Sequence, residues 1–255
     1  MSVNEPSTNP TVVLVHGAFA DASGWAGVIT DLQSAGLTVL APPNPLRSLA
    51  SDAAYIASVA TQIDGPVLLA GHSYGGAVIS VAAAHAPNVV GLVYVNAFAL
   101  DEGDSVLDIL SRFPETPLRA ALRRTTFPVE GATEPGGELS IDPALFRNAF
   151  AGDVPVQTAA VMAVAQRPIS ELAFGEKAKV AGAWKSLPSW YAVATMDNSI
   201  HPEAQRFMAQ RAGAETIELD GSHTDFVGPQ ATAVAGLIRR AVASVSNRPT
   251  VSATR

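Results

Sequence analysis

The chain has no cysteine among its 255 residues, so disulfide scaffolds, thiolate metal sites and thiol nucleophiles are excluded by inventory. Any covalent chemistry falls to serine. Charge is scarce as well: Asp, Glu, Lys and Arg make up 15% of the residues, and 16 basic side chains face 23 acidic ones for a net charge of -7. A phosphate-binding surface needs clustered lysine and arginine, so nucleic acid is not expected as a partner. The one small arginine cluster, Arg119, Arg123 and Arg124, reads as the solvated face of a mid-chain helix. No uninterrupted apolar run approaches the roughly 20 residues that span a bilayer, and the polar start from Met1 to Pro10 lacks an apolar signal core. These absences point to a cytoplasmic protein without a membrane partner. There is no internal repeat, no Gly-x-Gly-x-x-Gly after a strand, and no clustering of His and carboxylates at ligand spacing, so neither a nucleotide cofactor nor a metal is expected.

What is present is apolar material, 48% of the chain, enough for one sizeable α/β core. Strand-like runs alternate with helix-like periodic segments, the pattern of a mainly parallel sheet covered on both faces. Thr11 to Val15, Leu37 to Ala41, Pro66 to Ala70, Val89 to Val95, Ser189 to Thr195 and Ala214 to Leu219 read as about six strands. Trp25, Val28, Ile29 and Leu32 recur at helical spacing, as do Ile56, Val59, Ala60 and Ile63, and later Val234, Leu237, Ile238, Ala241 and Val242. From about Asp101 to Leu187 the alternation fails and prolines divide the chain into short helical pieces. Val106, Leu107, Leu110, Phe146 and Phe150 nonetheless give this stretch too much apolar side chain to stay unfolded. The expected organisation is a discontinuous core over 1–100 and 188–246, a helical cap inserted over 101–187, and a flexible tail over 247–255.

Gly71-His72-Ser73-Tyr74-Gly75-Gly76 carries the strongest chemical signal. It matches Gly-x-Ser-x-Gly between a buried strand and an alanine- and valine-rich helix, where a sharp, crowded turn exposes the serine and favours glycine on either side. A serine hydroxyl is a weak nucleophile at neutral pH and needs a base, itself oriented by a third group. His223, in the loop Asp220-Gly221-Ser222-His223 after the last strand, is the best-placed base. His16, His72, His85 and His201 sit at less suitable positions. Asp197, after the Ser189 to Thr195 strand, completes the order Ser, Asp, His, with Asp101, Asp220 and Asp225 as rivals. Two backbone N–H groups are expected to receive the developing oxyanion: that of Tyr74, after the nucleophile, and that of Ala18 in the loop after the first strand, with Phe19 as the fallback. Phe19, Phe98, Trp184 and the leucines of the insertion are candidate walls of an apolar pocket.

The segments "LVHGAFADASGW", "GHSYGG", "PSWYAVATMDNSIHPEAQRFMA" and "DGSH" resemble the oxyanion loop, elbow, acid loop and histidine loop of the α/β-hydrolase superfamily, near its methylesterase and hydroxynitrile-lyase-like branch. The resemblance implies Ser73, Asp197 and His223 as a triad, with Ala18 and Tyr74 as the oxyanion hole. It covers most of the chain but not the insertion. Hydroxynitrile lyases of that branch carry threonine at the position of Gly17 and lysine at that of Thr224, and loss of the nearby positive charge argues for hydrolysis over cyanide release. The implied activity is a serine hydrolase acting on a small to medium, mainly apolar carboxylic ester or lactone through an acyl-enzyme. The alternatives are lyase, C–C hydrolase or perhydrolase chemistry at the same triad, and a non-catalytic small-ligand receptor.

Overall fold

The computed structural model describes residues 9–246; the expected tail over 247–255 and nearly all of the polar start lie outside the described residues. In chain order the elements are β1 Thr11–Val15, α1 Ala26–Ser34, β2 Val39–Leu40, α2 Leu49–Thr61, β3 Val67–His72, α3 Tyr74–Ala82 and β4 Val89–Val95. An insertion follows, with α4 Val106–Ser111, α5 Pro117–Ala121, β5 Leu122–Phe127, β6 Gly136–Ile141, α6 Pro143–Phe150, α7 Val156–Ala165, β7 Ile169–Ser170 and α8 Glu171–Gly175. The chain closes with β8 Ser189–Ala194, α9 Pro202–Arg211, β9 Glu215–Leu219 and α10 Ala231–Ser246.

Six strands form one sheet in the order β2-β1-β3-β4-β8-β9, and every pairing is parallel. Parallel strands need crossovers on both faces, which is why β3 and β8 are buried at every residue and read as continuous apolar runs. On one face Trp25, just before α1, and Val28 and Leu32 of α1 meet Val234, Leu237, Ile238 and Ala241 of α10. The other face packs Ala53 and Ile56 of α2, Val78 and Ile79 of α3, and much of the insertion. Between β1 and β3 the winding direction reverses, so the loops leaving the carboxyl ends of these strands, after Val15 and after His72, open a crevice at a topological switch point. That crevice is where Ser73 lies.

The insertion differs from the expected helical pieces. Besides five helices it holds a three-stranded antiparallel sheet, β5-β6-β7. Leu122-Arg-Arg-Thr-Thr-Phe127 combines β-branched and aromatic residues, and its pairing with Gly136–Ile141 places Arg123 and Arg124 on a strand, not on a helix. Their charges are met by Asp142 and by Glu171 (2.8 Å) on the exposed surface. Among the described residues no helix is long and apolar enough to cross a membrane.

Candidate active site

Ser73 stands at the amino end of α3 with φ 53° and ψ -124°, a conformation that L residues rarely adopt. Three backbone bonds hold it there: Ser73 N–H to the Val95 carbonyl (3.3 Å), and the N–H groups of Gly76 (3.0 Å) and Phe98 (3.1 Å) to the Ser73 carbonyl. Close packing explains the glycines. A Cβ on Gly71 would stand 2.5 Å from the Gly75 carbonyl oxygen, and one on Gly75 would be driven into the Val15 carbonyl of β1. The loop after β1 lies directly against the serine, since a Cβ on Gly17 would approach the Ser73 Cβ to 2.6 Å.

That loop and the start of α3 bring the two expected donors to one place. Among the described residues no hydrogen bond engages the N–H of Ala18 or of Tyr74, whereas the N–H of Phe19 is taken by the Arg167 carbonyl at 3.1 Å. Phe19 is therefore not free for the role held in reserve for it. The Tyr74 hydroxyl donates to Asp52 Oδ2 (2.8 Å), which anchors the residue after the serine to the start of α2. Burial raises the pKa of both groups, opposed at Asp52 by the hydrogen bonds it accepts and reinforced at Tyr74 by the neighbouring Asp52.

His223 and Asp197 meet directly, His223 Nδ1 lying 2.7 Å from Asp197 Oδ2 with both side chains buried. A carboxylate only accepts, so Nδ1 carries the proton and Nε2 is left with a free lone pair. Nε2 makes no hydrogen bond, the Ser73 hydroxyl included. Apo hydroxyl–imidazole contacts of this kind are commonly long and tighten only with substrate. Asp197 is itself over-determined: Oδ1 accepts the N–H groups of Ser199 (2.6 Å) and Ile200 (2.9 Å), and Oδ2 accepts Gln205 Nε2 at 2.7 Å. Gln205 cannot flip, because its Oε1 accepts the Ala194 N–H. His72 links Ser73 to His223. Its Nε2–H donates to the His223 carbonyl (3.0 Å), the two rings lie 4.6 Å apart, and burial, with His223 alongside, keeps it neutral. The remaining carboxylates serve elsewhere: Asp101 pairs with Lys185 (2.7 Å), Asp220 accepts from Thr195 (3.2 Å), and Asp225 accepts from Asn96 (2.9 Å).

Phe150 meets the His223 ring in a tilted contact at 4.9 Å and Phe19 edge-to-face at 6.0 Å, and Phe19 in turn meets Phe174 at 6.3 Å. These aromatics wall the reacting groups, leaving Ser73 7% and His223 1% exposed. Two cavities border the walls without being lined by Ser73 or His223. A larger one of about 530 Å³ lies between the insertion and the acid loop, lined by Leu110, Phe113, Leu118, Leu139, Phe174 and Ser199 among others. Phe19, Thr158, Met162 and Val227 border a smaller one of about 180 Å³. Phe98 and Trp184 line neither, contrary to expectation. Phe98 is buried under the elbow through its backbone, and the Trp184 indole N–H is spent on the Leu100 carbonyl at 2.9 Å. Among the described residues no group of three or more His, Asp or Glu could hold a metal ion.

The alpha/beta hydrolase family model matches residues 12–237, which contain the elbow, the acid loop and the histidine loop. The chain belongs to the alpha/beta hydrolase family. A carbendazim hydrolyzing esterase of Nocardioides sp. (strain SG-4G) is 33% identical over 113 residues, 39% of this chain and 47% of that protein, so less than half of the relative is matched. Among solved structures, polyneuridine aldehyde esterase superposes with a TM-score of 0.77 at 20% identity over 91% of this chain and 99% of its own. A pyrethroid hydrolase from Sphingobium faniae JZ-2 gives 0.73 at 22% identity, covering 94% of this chain and 98% of its own. At such identities the structural likeness is one of fold. Within this alpha/beta hydrolase, the positioning groups Gln205 and Asn96 went unnoticed in the sequence. Gln205 had a signal, being a polar residue on the stripe that also buries Ala204, Met208 and Ala209 of α9.

Proposed function

We propose that the protein is a serine hydrolase that cleaves a small to medium, mainly apolar carboxylic ester or lactone through an acyl-enzyme. The observation that carries this reading is the buried Asp197–His223 pair with a free Nε2, packed through His72 against a serine on a strained elbow. In the first half-reaction Ser73 Oγ bonds to the carbonyl carbon while His223 Nε2 takes the hydroxyl proton and Asp197 stabilises the imidazolium. The carbonyl electron pair moves onto oxygen, where the N–H groups of Ala18 and Tyr74 receive it. Collapse expels the alcohol, protonated by His223, and water then repeats the sequence on the acyl-serine.

The cavity of about 530 Å³ with its leucine and phenylalanine lining supports an apolar substrate portion, the segment 101–187 acting as the cap over it. Esterase and hydrolase names among the relatives in sequence and fold support the same reaction class. Treatment of wild type and Ser73→Ala with a fluorophosphonate, followed by intact mass, tests the proposal. A mass increase confined to wild type is expected. Labelling of both proteins, or of neither, refutes Ser73 as the activated nucleophile. A graded series of p-nitrophenyl esters then reads the acyl size.

A further inference from the structure

The loop that carries His223 is clamped from two sides. From the insertion, Asp153 Oδ2 accepts the Ser222 N–H (2.8 Å), Asp153 Oδ1 accepts the Ser222 hydroxyl, and the Phe150 carbonyl accepts the Thr224 hydroxyl (3.0 Å). From the sheet, the His223 carbonyl accepts His72 Nε2–H and Asn96 Nδ2–H (3.1 Å). The second proton of the same Asn96 amide reaches Asp225 Oδ1 at 2.9 Å. Asn96 sits where β4 ends, in the left-handed region at φ 47°, and is fully buried. It is a bridge between the base and Asp225.

Asp225 is fully buried and its Oδ2 has no partner. That oxygen and Asp153 Oδ2 lie 2.7 Å and 3.0 Å from the single point that a Cβ on Gly221 would occupy, so both carboxyl groups crowd the glycine. Asp197 is the third carboxyl group nearby, and among the described residues no cation is seen to offset them at Asp225. The other titratable neighbours, His72 and His223, present to this corner only the carbonyl bond just described. The apolar cluster of Trp25, Val28, Phe226 and Val234 closes the side toward α1 and α10. Both Asp153 oxygens accept from Ser222, its N–H and its hydroxyl. A charge on the fully buried Asp225 next to a second carboxyl group is costly unless it is neutralised.

We propose that Asp225 is a positioning residue that works as the neutral acid, holding His223 through Asn96 while the cap carboxylate Asp153 docks on the same loop. The inference rests on the serine-hydrolase reading. Neutral Asp225 keeps one oxygen as an acceptor for Asn96 and turns its O–H toward Asp153. Ionised Asp225 sets two like charges against each other across Gly221, and the cheapest relief is to part the cap from the histidine loop, which displaces the base. Burial, with Asp153 and Asp197 adding to it, pushes Asp225 up to about 7, so the change falls within the working range.

The test is kcat/KM for a p-nitrophenyl ester from pH 5 to 9 in wild type, Asp225→Asn and Asp153→Asn, with fluorophosphonate labelling of each and circular dichroism to verify folding. Wild type is expected to lose at least tenfold in kcat/KM between pH 7 and 9. Asp225→Asn, which retains the acceptor and adds an N–H toward Asp153, holds its plateau to pH 9. Asp153→Asn removes a charge that raises Asp225 and moves the alkaline limb to lower pH. A purely structural role would lower all pH values alike. A flat wild-type profile above pH 7, an unchanged limb in Asp225→Asn, or a limb moved to higher pH in Asp153→Asn overturns the proposal. Should Asp225→Asn fail to fold, the direction of the Asp153→Asn shift decides alone. Absence of wild-type labelling at any pH instead overturns the hydrolase reading, and the proposal with it.

Discussion

Replacing Ser73 by glycine is expected to make the protein more stable than replacing it by alanine, although both changes remove the proposed nucleophile. At φ 53° and ψ -124° the strain comes from the Cβ, which serine and alanine share and glycine lacks. A non-glycine residue held in such a region costs about 1–3 kcal/mol. Glycine gives back roughly 0.5–1 kcal/mol through the greater freedom of its unfolded chain. Neither variant loses a bond to His223 Nε2, which has no hydrogen-bond partner among the described residues. The net difference is about 1 kcal/mol in favour of glycine, which for a domain of this size raises Tm by roughly 2–4 °C over the alanine variant. Differential scanning calorimetry of the two inactive proteins side by side reads it without interference from turnover. A glycine variant that melts at or below the alanine variant would show that the backbone at position 73 is not strained.

Asp197→Asn leaves the loop geometry intact but offers His223 Nδ1 an amide in place of a carboxylate. Turnover of a p-nitrophenyl ester should fall on the order of 10³–10⁴-fold, with KM little changed; a loss under tenfold would assign the orienting role elsewhere. Asp225→Asn should also alter stability. The folded-state value of about 7 lies above the ordinary 3.8, so the favourable contribution of the neutral acid is complete below 3.8 and is lost as pH rises to about 7. Above that point wild type carries a cost of at most roughly 4 kcal/mol that asparagine avoids. The stability gain of the variant in urea titrations should therefore grow from pH 4 to pH 8, and an equal gain at both would contradict it. Leu139→Trp intrudes on the cavity of about 530 Å³ and should cut the octanoate-to-acetate ester rate ratio on the order of tenfold. An unchanged ratio would place the acyl group outside that cavity.

Features set by local demands were legible in the amino-acid order. The buried parallel strands show as apolar runs, and the elbow shows because three backbones approach so closely that Gly71 and Gly75 cannot carry a side chain. The order of Ser73, Asp197 and His223 is legible for the same reason, each following a strand whose carboxyl end faces the crevice. What depended on distant partners was not. Arg123 and Arg124 lie on a strand only because Gly136–Ile141 pairs with it, and the prolines between obscure that pairing. An apolar side chain does not announce whether it faces a core or a cavity. Trp184 is assigned to the core by one bond to Leu100, 84 positions earlier. Asn96 and Gln205 show the difference between the two kinds of hidden residue. Gln205 breaks the buried stripe of α9, so its amide needed an internal partner and could have been flagged, whereas Asn96 at the end of a strand looks like any loop residue. Its meaning comes from His223 and Asp225, 127 and 129 positions away. Groups that fix a base in place are bound by the fold's long-range contacts, and so they are the last part of such a site that a linear pattern reveals.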